Sequence, residues 1–173
     1  MQITLGVISD THMPHMAKAL PRALVAGLQN HGVDVLVHCG DVTTESVIPL
    51  FEAVAPFEAV AGNNDSPALV ERFGRKKILG FGGVRIGLVH GHEGRSGLKT
   101  PERALRQFHS DHVQAVLFGH SHMPLNETRD GVLLLNPGSP TDKRRNERYS
   151  YGIVRIVDSH LDAEICYYAD KSP

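Results

Sequence analysis

Apolar and polar positions alternate along the chain with two periods, which predict short strands and amphipathic helices. Short apolar runs that are rich in β-branched residues and end at glycine or polar positions are typical of buried strands. These runs cover Ile3–Ser9, Val33–Cys39, Phe57–Ala61, Lys77–Phe81, Val84–Val89, Ala115–Phe118, Leu125–Arg129, Val132–Asn136, Tyr151–Val157 and Leu161–Tyr168. Stretches with helical spacing or helix-start signals lie between them. The predicted helices cover Ala17–Asn30, Glu45–Ala55, a brief segment opened by Ser66 and Pro67, and Pro101–Phe108, with Thr100 as its expected cap.

The order of these elements predicts the fold class. Strands and helices alternate as far as Phe118, and only strands follow. This order favours a layered α/β fold with one largely parallel sheet and a second, more antiparallel sheet. The length of 173 residues fits a single domain over residues 1–173.

Five of the predicted strands end in side chains that can bind metal ions. In open α/β sheets, ligands bind beyond the carboxyl ends of the strands. If these strands share a sheet, their terminal side chains meet at one edge of it. Each residue alone fits a turn, a cap or a hydrogen-bonded histidine at least as well, but five coincident strand ends favour a joint site. The candidates are Asp10, His12, Asp41, Asn63, His90, His120 and His122.

The types of donor indicate which ions such a site would hold. Two carboxylates, four imidazoles and one amide oxygen suit divalent Mn, Fe, Ni, Co or Zn. The chain has only two cysteines, Cys39 and Cys166, so a structural zinc site built on thiolates is excluded. Seven donors are too many for one tetrahedral ion and suit two ions about 3.5–4 Å apart that share a carboxylate.

The composition of the chain indicates which partners and which cellular compartment to expect. The net charge of −1 gives no support to binding of extended nucleic acid or of an acidic membrane surface. The chain has no apolar stretch of about 18 residues, and its start does not fit a signal peptide. With no disulfide framework, these features lead us to expect a cytoplasmic protein.

The motifs also resemble those of a known family. In order, they are Asp10-x-His12, Gly40-Asp41, Gly62-Asn63-Asn64-Asp65, His90-Gly91-His92 and Gly119-His120-Ser121-His122. Together they resemble the motif set of the calcineurin-like metallophosphoesterases, above all the small prokaryotic phosphodiesterases of the YfcE type. A later turn, Asn136-Pro137-Gly138-Ser139, is typical of the same branch. The resemblance implies a four-layer α/β/β/α sandwich of two mixed β-sheets flanked by helices.

The resemblance also implies a role for each motif residue. One metal ion would be held by Asp10, His12, Asp41 and His122, and the other by Asp41, Asn63, His90 and His120. Asp41 would bridge the two ions, of which manganese is the expected metal. A hydroxide between the ions would be the nucleophile.

One position departs from the commonest pattern of the family. Many relatives carry a histidine after the motif asparagine, where this chain has Asn64. An amide cannot act as a general acid, so we expect Asn64 only to donate a hydrogen bond. His92 is the nearest alternative source of a proton for the leaving group, and a supporting or solvent-facing role fits it equally well.

The implied function is a dinuclear metal-dependent phosphodiesterase that acts on small or nucleotide-like phosphodiesters. A phosphomonoesterase is the near alternative, because the same metals would serve either reaction. A non-catalytic scaffold of the same fold, like the retromer subunit, is the alternative from another class. Arg95 and Lys143–Arg145 could contact substrate phosphate or simply be solvated, and His38 is expected to lie in the core. Relatives form dimers or tetramers, so a homodimer or homotetramer is also expected.

Overall fold

The strands account for most of the regular structure. The structure is a computed structural model that describes residues 1–173. The strands are β1 (Gln2–Ile8), β2 (Val35–His38), β3 (Phe57–Ala59), β4 (Lys76–Phe81), β5 (Val84–Val89), β6 (Ala115–Leu117), β7 (Leu125–Arg129), β8 (Val132–Asn136), β9 (Tyr149–Val157) and β10 (His160–Tyr168). All ten predicted strands are present, with ends that differ by at most two residues.

The helices differ more from the predictions. They are α1 (Arg22–Asn30), α2 (Ile48–Glu52), α3 (Pro67–Phe73) and α4 (Thr100–Arg106), with one 3-10 turn at Glu45–Val47 before α2. None of them is long and apolar enough to cross a membrane.

Prolines and caps explain where the helices begin. The predicted helix over Ala17–Asn30 begins only at Arg22, because Pro21 adopts an extended conformation at the N-cap. Ser66 caps α3 as predicted, since its hydroxyl accepts a hydrogen bond from the Leu69 amide at 3.3 Å. The expectation of a Thr100 cap is wrong. Lys99 occupies the cap of α4, and its amide donates to the Glu102 carboxylate at 2.9 Å.

The strands form two mixed five-stranded sheets. Their orders are β10-β9-β1-β2-β3 and β4-β5-β6-β8-β7. Strands β1, β2 and β3 are parallel in the first sheet, and β5, β6 and β8 are parallel in the second. The expectation of one largely parallel and one more antiparallel sheet is therefore wrong. The hairpin β9–β10 does not join the later strands, because β9 pairs antiparallel with the open side of β1.

Three apolar cores define the layers. The first lies between the two sheets and contains Leu5, Val37 and Ile86. The second lies between the first sheet and helices α1–α3, and the third lies between the second sheet and α4. This arrangement confirms the α/β/β/α sandwich. It also brings the carboxyl ends of the parallel strands of both sheets to the same end of the molecule, as the contacts described below show.

Candidate metal centre

The predicted ligands come from two sheets, not from one. Asp10, His12 and Asp41 follow strands of the first sheet, whereas His90 follows β5 of the second. A hydrogen bond joins the sheets here, since His90 Nδ1 lies 2.7 Å from the Cys39 carbonyl oxygen. The expectation of a shared sheet edge is wrong in this respect, and face-to-face packing of the sheets is what brings the side chains together.

Most of the candidate ligands have a left-handed backbone. This conformation is uncommon for residues other than glycine and is concentrated at functional sites. It turns each chain sharply at the end of its strand, so that neighbouring side chains face one point. The residues with φ between 45° and 68° are Asp10, His12, Asp41, His120 and His122.

Asp10 is buried and holds its carboxylate in a fixed direction. Its Oδ2 accepts hydrogen bonds from the Ser9 hydroxyl at 2.7 Å and the His120 amide at 3.0 Å. Its Oδ1 is buried and has no hydrogen-bond partner. Gly119 makes this approach possible, because a Cβ there would clash with Ser9 Oγ and lie 2.6 Å from Asp10 Oδ2.

Two imidazoles point their free nitrogens at this oxygen. His90 Nδ1 donates to the Cys39 carbonyl, and His122 Nδ1 lies 2.6 Å from the Asp142 carbonyl oxygen, to which it donates. The Nε2 atoms of both rings are buried and lack hydrogen-bond partners. They lie 3.7 Å and 3.4 Å from Asp10 Oδ1. Buried polar atoms without partners are rare and call for an explanation.

Asp41 is surrounded by donors. Its carboxylate accepts hydrogen bonds from the Asn64 amide nitrogen at 2.9 Å and the Asn64 side chain at 2.8 Å. Its Oδ2 also lies 3.0 Å from His12 Nε2 and 3.4 Å from His90 Nε2. Burial alone would raise the pKa of Asp41, but the two histidines and the Asn64 amide hold it well below its usual range. The carboxylate is therefore ionised.

The carboxylates make the neighbouring imidazoles basic. Burial disfavours a charged His12 ring, but Asp41, Asp10 and Asp142 outweigh burial and raise its pKa. In the same way, Asp41 and Asp10 overcome the burial of His90 and raise its pKa to about 9. An environment that stabilises a proton on both rings also attracts a metal cation that can take the proton's place.

These donor atoms fit divalent cations. Two groups have ligand atoms that all lie within 4.8 Å of one another: Asp10 with His12 and His122, and Asp10 with Asp41 and His90. Two donors bound at about 2.1 Å to one ion lie about 3.0–3.4 Å apart. The observed separations of 3.4 Å between Asp10 and His122 and between Asp41 and His90 match this spacing.

The remaining predicted ligands lie beside these groups. The His120 ring packs edge-on against His90, with centroids 5.2 Å apart. Asn63 is exposed in the loop that also carries Asn64. The structure thus brings five of the seven predicted ligands into the two groups and leaves His120 and Asn63 outside them.

The residues predicted for catalysis have specific partners. Asn64 is exposed, and its amide is bound to Asp41. His92 stands next to His90, with ring centroids 5.3 Å apart, and its Nε2 accepts a hydrogen bond from Arg75 at 2.9 Å. Burial, the charges of His90 and Arg75 and that of His120 lower the pKa of His92 to about 4. Its ring is therefore neutral at pH 7.

Sequence reasoning missed several supporting residues. Asp142 contacts His12 and His122, and Arg75 contacts His92. Asp65, although part of a quoted motif, had no assigned role, and its carboxylate accepts from the amides of Asp41, Thr43 and Gly62. Asp65 and the Asn136–Ser139 turn had a motif to mark them. No pattern in the sequence marks Asp142 or Arg75.

The Asn136–Ser139 turn supports the histidine loop from behind. The Asn136 side chain donates to the Gly119 carbonyl and to Ser121 Oγ, both at 3.0 Å. The Ser139 hydroxyl donates to the Asp10 carbonyl at 2.9 Å. The turn therefore ties together the loops that carry Asp10 and His120.

The other residues singled out in the sequence lie at different depths. His38 is fully buried: its Nδ1 accepts from the Gly40 amide and its Nε2 lies 2.9 Å from the Thr11 hydroxyl, which makes it a core residue as predicted. Arg95 is exposed. In the Lys143–Arg145 segment, Arg144 lies 3.8 Å from Asp142, which in turn contacts His12.

Known proteins resemble this chain in sequence and in fold. A sequence profile of the calcineurin-like phosphoesterase superfamily domain matches residues 3–159. A "probable metallophosphoesterase" of Methanothermobacter thermautotrophicus is 35% identical over 93% of this chain and 90% of that protein. A phosphodiesterase of Methanocaldococcus jannaschii is 30% identical over 78% of this chain and 82% of that protein.

Among solved structures, Vacuolar Protein Sorting 29 of Cryptosporidium parvum superposes with a TM-score of 0.77. It covers 98% of this chain and 99% of its own, but only 18% of residues are identical, so this likeness concerns the fold. The profile match and the relatives that are 30% or more identical go further, and the chain belongs to the calcineurin-like phosphoesterase superfamily.

Proposed function

We propose that the protein is a dinuclear metal-dependent phosphodiesterase that hydrolyses small or nucleotide-like phosphodiesters. One observation carries the proposal. Asp10 Oδ1, His90 Nε2 and His122 Nε2 are buried and have no hydrogen-bond partner, and both nitrogen atoms lie within 3.7 Å of the Asp10 oxygen. Leaving buried polar atoms unpaired is unfavourable by about 1–3 kcal/mol each, so their convergence is best explained by bound cations.

The proposed ligand sets keep the histidines of the two groups of donors apart but share Asp41, whereas the two groups themselves share Asp10. Asp10, His12, Asp41 and His122 would hold one ion, and Asp41, Asn63, His90 and His120 the other. Asp41 fits the bridging position because its Oδ2 lies close to an imidazole of each set, 3.0 Å from His12 and 3.4 Å from His90. The mixture of carboxylate, imidazole and amide donors suits manganese, and Fe, Ni, Co or Zn would also fit.

The chain and the ions would divide the chemistry between them. Two bound cations supply a water that is ionised near neutral pH and positive charge for the phosphoryl oxygens. The Asp41 carboxylate is ionised, hydrogen bonds fix the direction of the Asp10 carboxylate, and the imidazole Nε2 atoms would bind the ions in place of a proton. Because these groups are already held by Ser9, Cys39 and Asn64, little reorganisation is needed when substrate binds.

The leaving group receives no proton from position 64. The Asn64 amide donates to Asp41 and cannot act as an acid. His92 is neutral at pH 7, so the imidazolium needed for general acid catalysis is scarce. The enzyme should therefore favour esters with good leaving groups.

A sequence relative supports the diester over the monoester. The Methanocaldococcus jannaschii protein that is 30% identical to this chain is named a phosphodiesterase. The net charge of −1 favours a small substrate over extended nucleic acid, which usually requires a basic surface. A scaffold role like that of a protein-sorting subunit is less well supported, because a scaffold does not need a complete set of oriented donors.

A comparison of two chromogenic esters tests the proposal. Protein stripped with chelator and reloaded with Mn²⁺ should hydrolyse bis(p-nitrophenyl) phosphate faster than p-nitrophenyl phosphate. Asp41→Asn should abolish this activity more completely than His12→Gln, because both ions depend on Asp41. Asp130→Asn, an equal charge change at an exposed turn, should retain it. Faster hydrolysis of the monoester would favour a phosphomonoesterase, and no hydrolysis of either ester would contradict an enzymatic function.

A further inference from the structure

Asp142, in the loop after β8, contacts two of the proposed ligands. Its Oδ2 lies 3.0 Å from His12 Nδ1, and its own carbonyl oxygen accepts a hydrogen bond from His122 Nδ1 at 2.6 Å. The Asp142 side chain is only 12% exposed. One residue therefore orients both imidazoles of the first metal set, one through its carboxylate and the other through its backbone.

The loop that carries Asp142 is fixed to the loop that carries Asp10 and His12. The Asp142 amide donates to Ser139 Oγ at 2.8 Å, and the Ser139 hydroxyl donates to the Asp10 carbonyl. The Thr141 hydroxyl donates to the Thr11 carbonyl at 2.7 Å. These bonds fix the backbone of the loop from which the Asp142 carboxylate extends.

The contacts of Asp142 also determine which ring nitrogen of His12 and His122 faces the candidate metal centre. An acceptor at Nδ1 places the ring proton there and leaves Nε2 to bind a metal ion, and a carboxylate acceptor makes the imidazole a stronger ligand. The Nε2 atoms of His12 and His122 lie 3.9 Å and 3.4 Å from Asp10 Oδ1, as this role requires.

In the second metal set, neither imidazole has a carboxylate beside its Nδ1 atom. His90 donates to a neutral acceptor, the Cys39 carbonyl, and His120 packs against the rings of His90 and His92. A neutral carbonyl supports a cation at the far side of the ring less strongly than a carboxylate does. The support given to the two sets is therefore unequal.

We propose that Asp142 is a positioning residue that makes the ion held by Asp10, His12 and His122 the more tightly bound of the two. The inference rests on the proposed function, because it assumes that both sets bind metal. It assigns Asp142 no contact with substrate.

The test is calorimetric titration of the metal-stripped protein with Mn²⁺ alone, which measures affinity and not turnover. Wild-type protein should bind two ions in two steps of different affinity. Removal of such a supporting partner weakens metal binding by about 10- to 100-fold. Asp142→Ala should weaken the tighter step by this amount and leave the weaker step unchanged. Asp142→Asn keeps an acceptor and loses the charge, so its loss should be smaller.

Asp130→Asn is the matched control, because Asp130 is exposed in the turn between β7 and β8 at the far end of β8 from Asn136. It should titrate like the wild type. If the wild type binds two ions and Asp142→Ala binds them with unchanged affinities, or loses affinity equally in both steps, this inference alone is wrong. A wild-type protein that binds no Mn²⁺ would overturn the proposed function and the inference together.

Discussion

At the scale of single residues, the site combines an uncommon backbone conformation with carboxylates that accept several hydrogen bonds. Asp10 and Asp41 have φ values of 55° and 60°. A residue other than glycine in this region is strained by about 1 kcal/mol or more. The hydrogen bonds that these carboxylates accept, from Ser9 and His120 and from Asn64, hold them in place against that strain.

Arg75 is the residue whose contribution is easiest to isolate. Its guanidinium donates to His92 Nε2 and lies 3.6 Å from Glu93. Arg75→Met removes a charged hydrogen bond, which contributes about 1.5 kcal/mol, and frees the His92 ring beside His90. We expect kcat on a poor-leaving-group diester to rise several-fold, because the Arg75 charge no longer lowers the pKa of His92 and more of its ring is protonated, with unchanged affinity for Mn²⁺.

The control for this change is Arg72→Met, on α3. Arg72 pairs with Glu52 at 3.3 Å, and both side chains are about half exposed. Steady-state kinetics of both variants on the same diester should show a changed kcat only at position 75. Equal kcat values in the two variants would show that Arg75 has no part in turnover.

At the scale of elements, the end of each strand decides which side chains can meet. Gly119 follows β6 and allows the histidine loop to pass against Ser9 and Asp10. Gly119→Ala would insert a methyl group into these atoms. We expect it to lower the free energy of unfolding by about 2 kcal/mol and to abolish Mn²⁺ binding.

Gly80→Ala, on β4, is the matched control, because a methyl group there meets no atom within 4 Å. Chemical denaturation and metal titration of both variants test the difference. Normal metal binding by Gly119→Ala would show that the histidine loop tolerates displacement.

His38, at the end of β2, gives the first sheet a measurable pH dependence. Burial, together with the charge of His90, lowers its pKa from 6.5 to about 3. Below pH 6.5 the unfolded chain therefore takes up a proton that the folded protein does not, so His38 makes folding less stable as the pH falls. From these pKa values the loss between about pH 7.5 and about pH 5 is about 2 kcal/mol.

His38→Gln removes this titration. Denaturation of metal-stripped wild type and variant at both pH values should show that the variant's stability deficit shrinks by about 2 kcal/mol at the lower pH. A deficit that does not change with pH would mean that His38 takes up a proton in the folded protein as readily as in the unfolded chain.

At the scale of the whole molecule, metal binding should add to the stability of the sandwich, because the ligands come from both sheets. At a free metal concentration of 100 times the Kd, each ion adds about 2.7 kcal/mol. For a chain of this size, chelation should then lower Tm by about 5–10 °C for each ion removed. Thermal melts with Mn²⁺ and with chelator measure this shift. Asp41→Asn should show almost none, and a wild type without a shift would mean that no metal binds the folded state.

The alternating patterns were sufficient to predict the strands, because they are local, and the motifs supported the family resemblance that implied the four layers and the roles of the candidate ligands. The patterns did not reveal that the ligands come from two sheets, since the placing of β5 and β6 in a different sheet from β1, β2 and β3 depends on pairing between residues far apart in the chain. Helix starts were misplaced where proline or an unexpected cap decides them, as at Pro21 and Lys99. Asp142 and Arg75 act through contacts across the fold, which no local pattern records.

The central claim is that two ions at this junction are both needed for hydrolysis. The most direct measurement is the rate of bis(p-nitrophenyl) phosphate hydrolysis while metal-stripped protein is titrated with Mn²⁺. We expect little activity at one ion per chain, a steep rise towards two, and a plateau there. Full activity at one ion per chain, or no activity at any ratio, would contradict the dinuclear site.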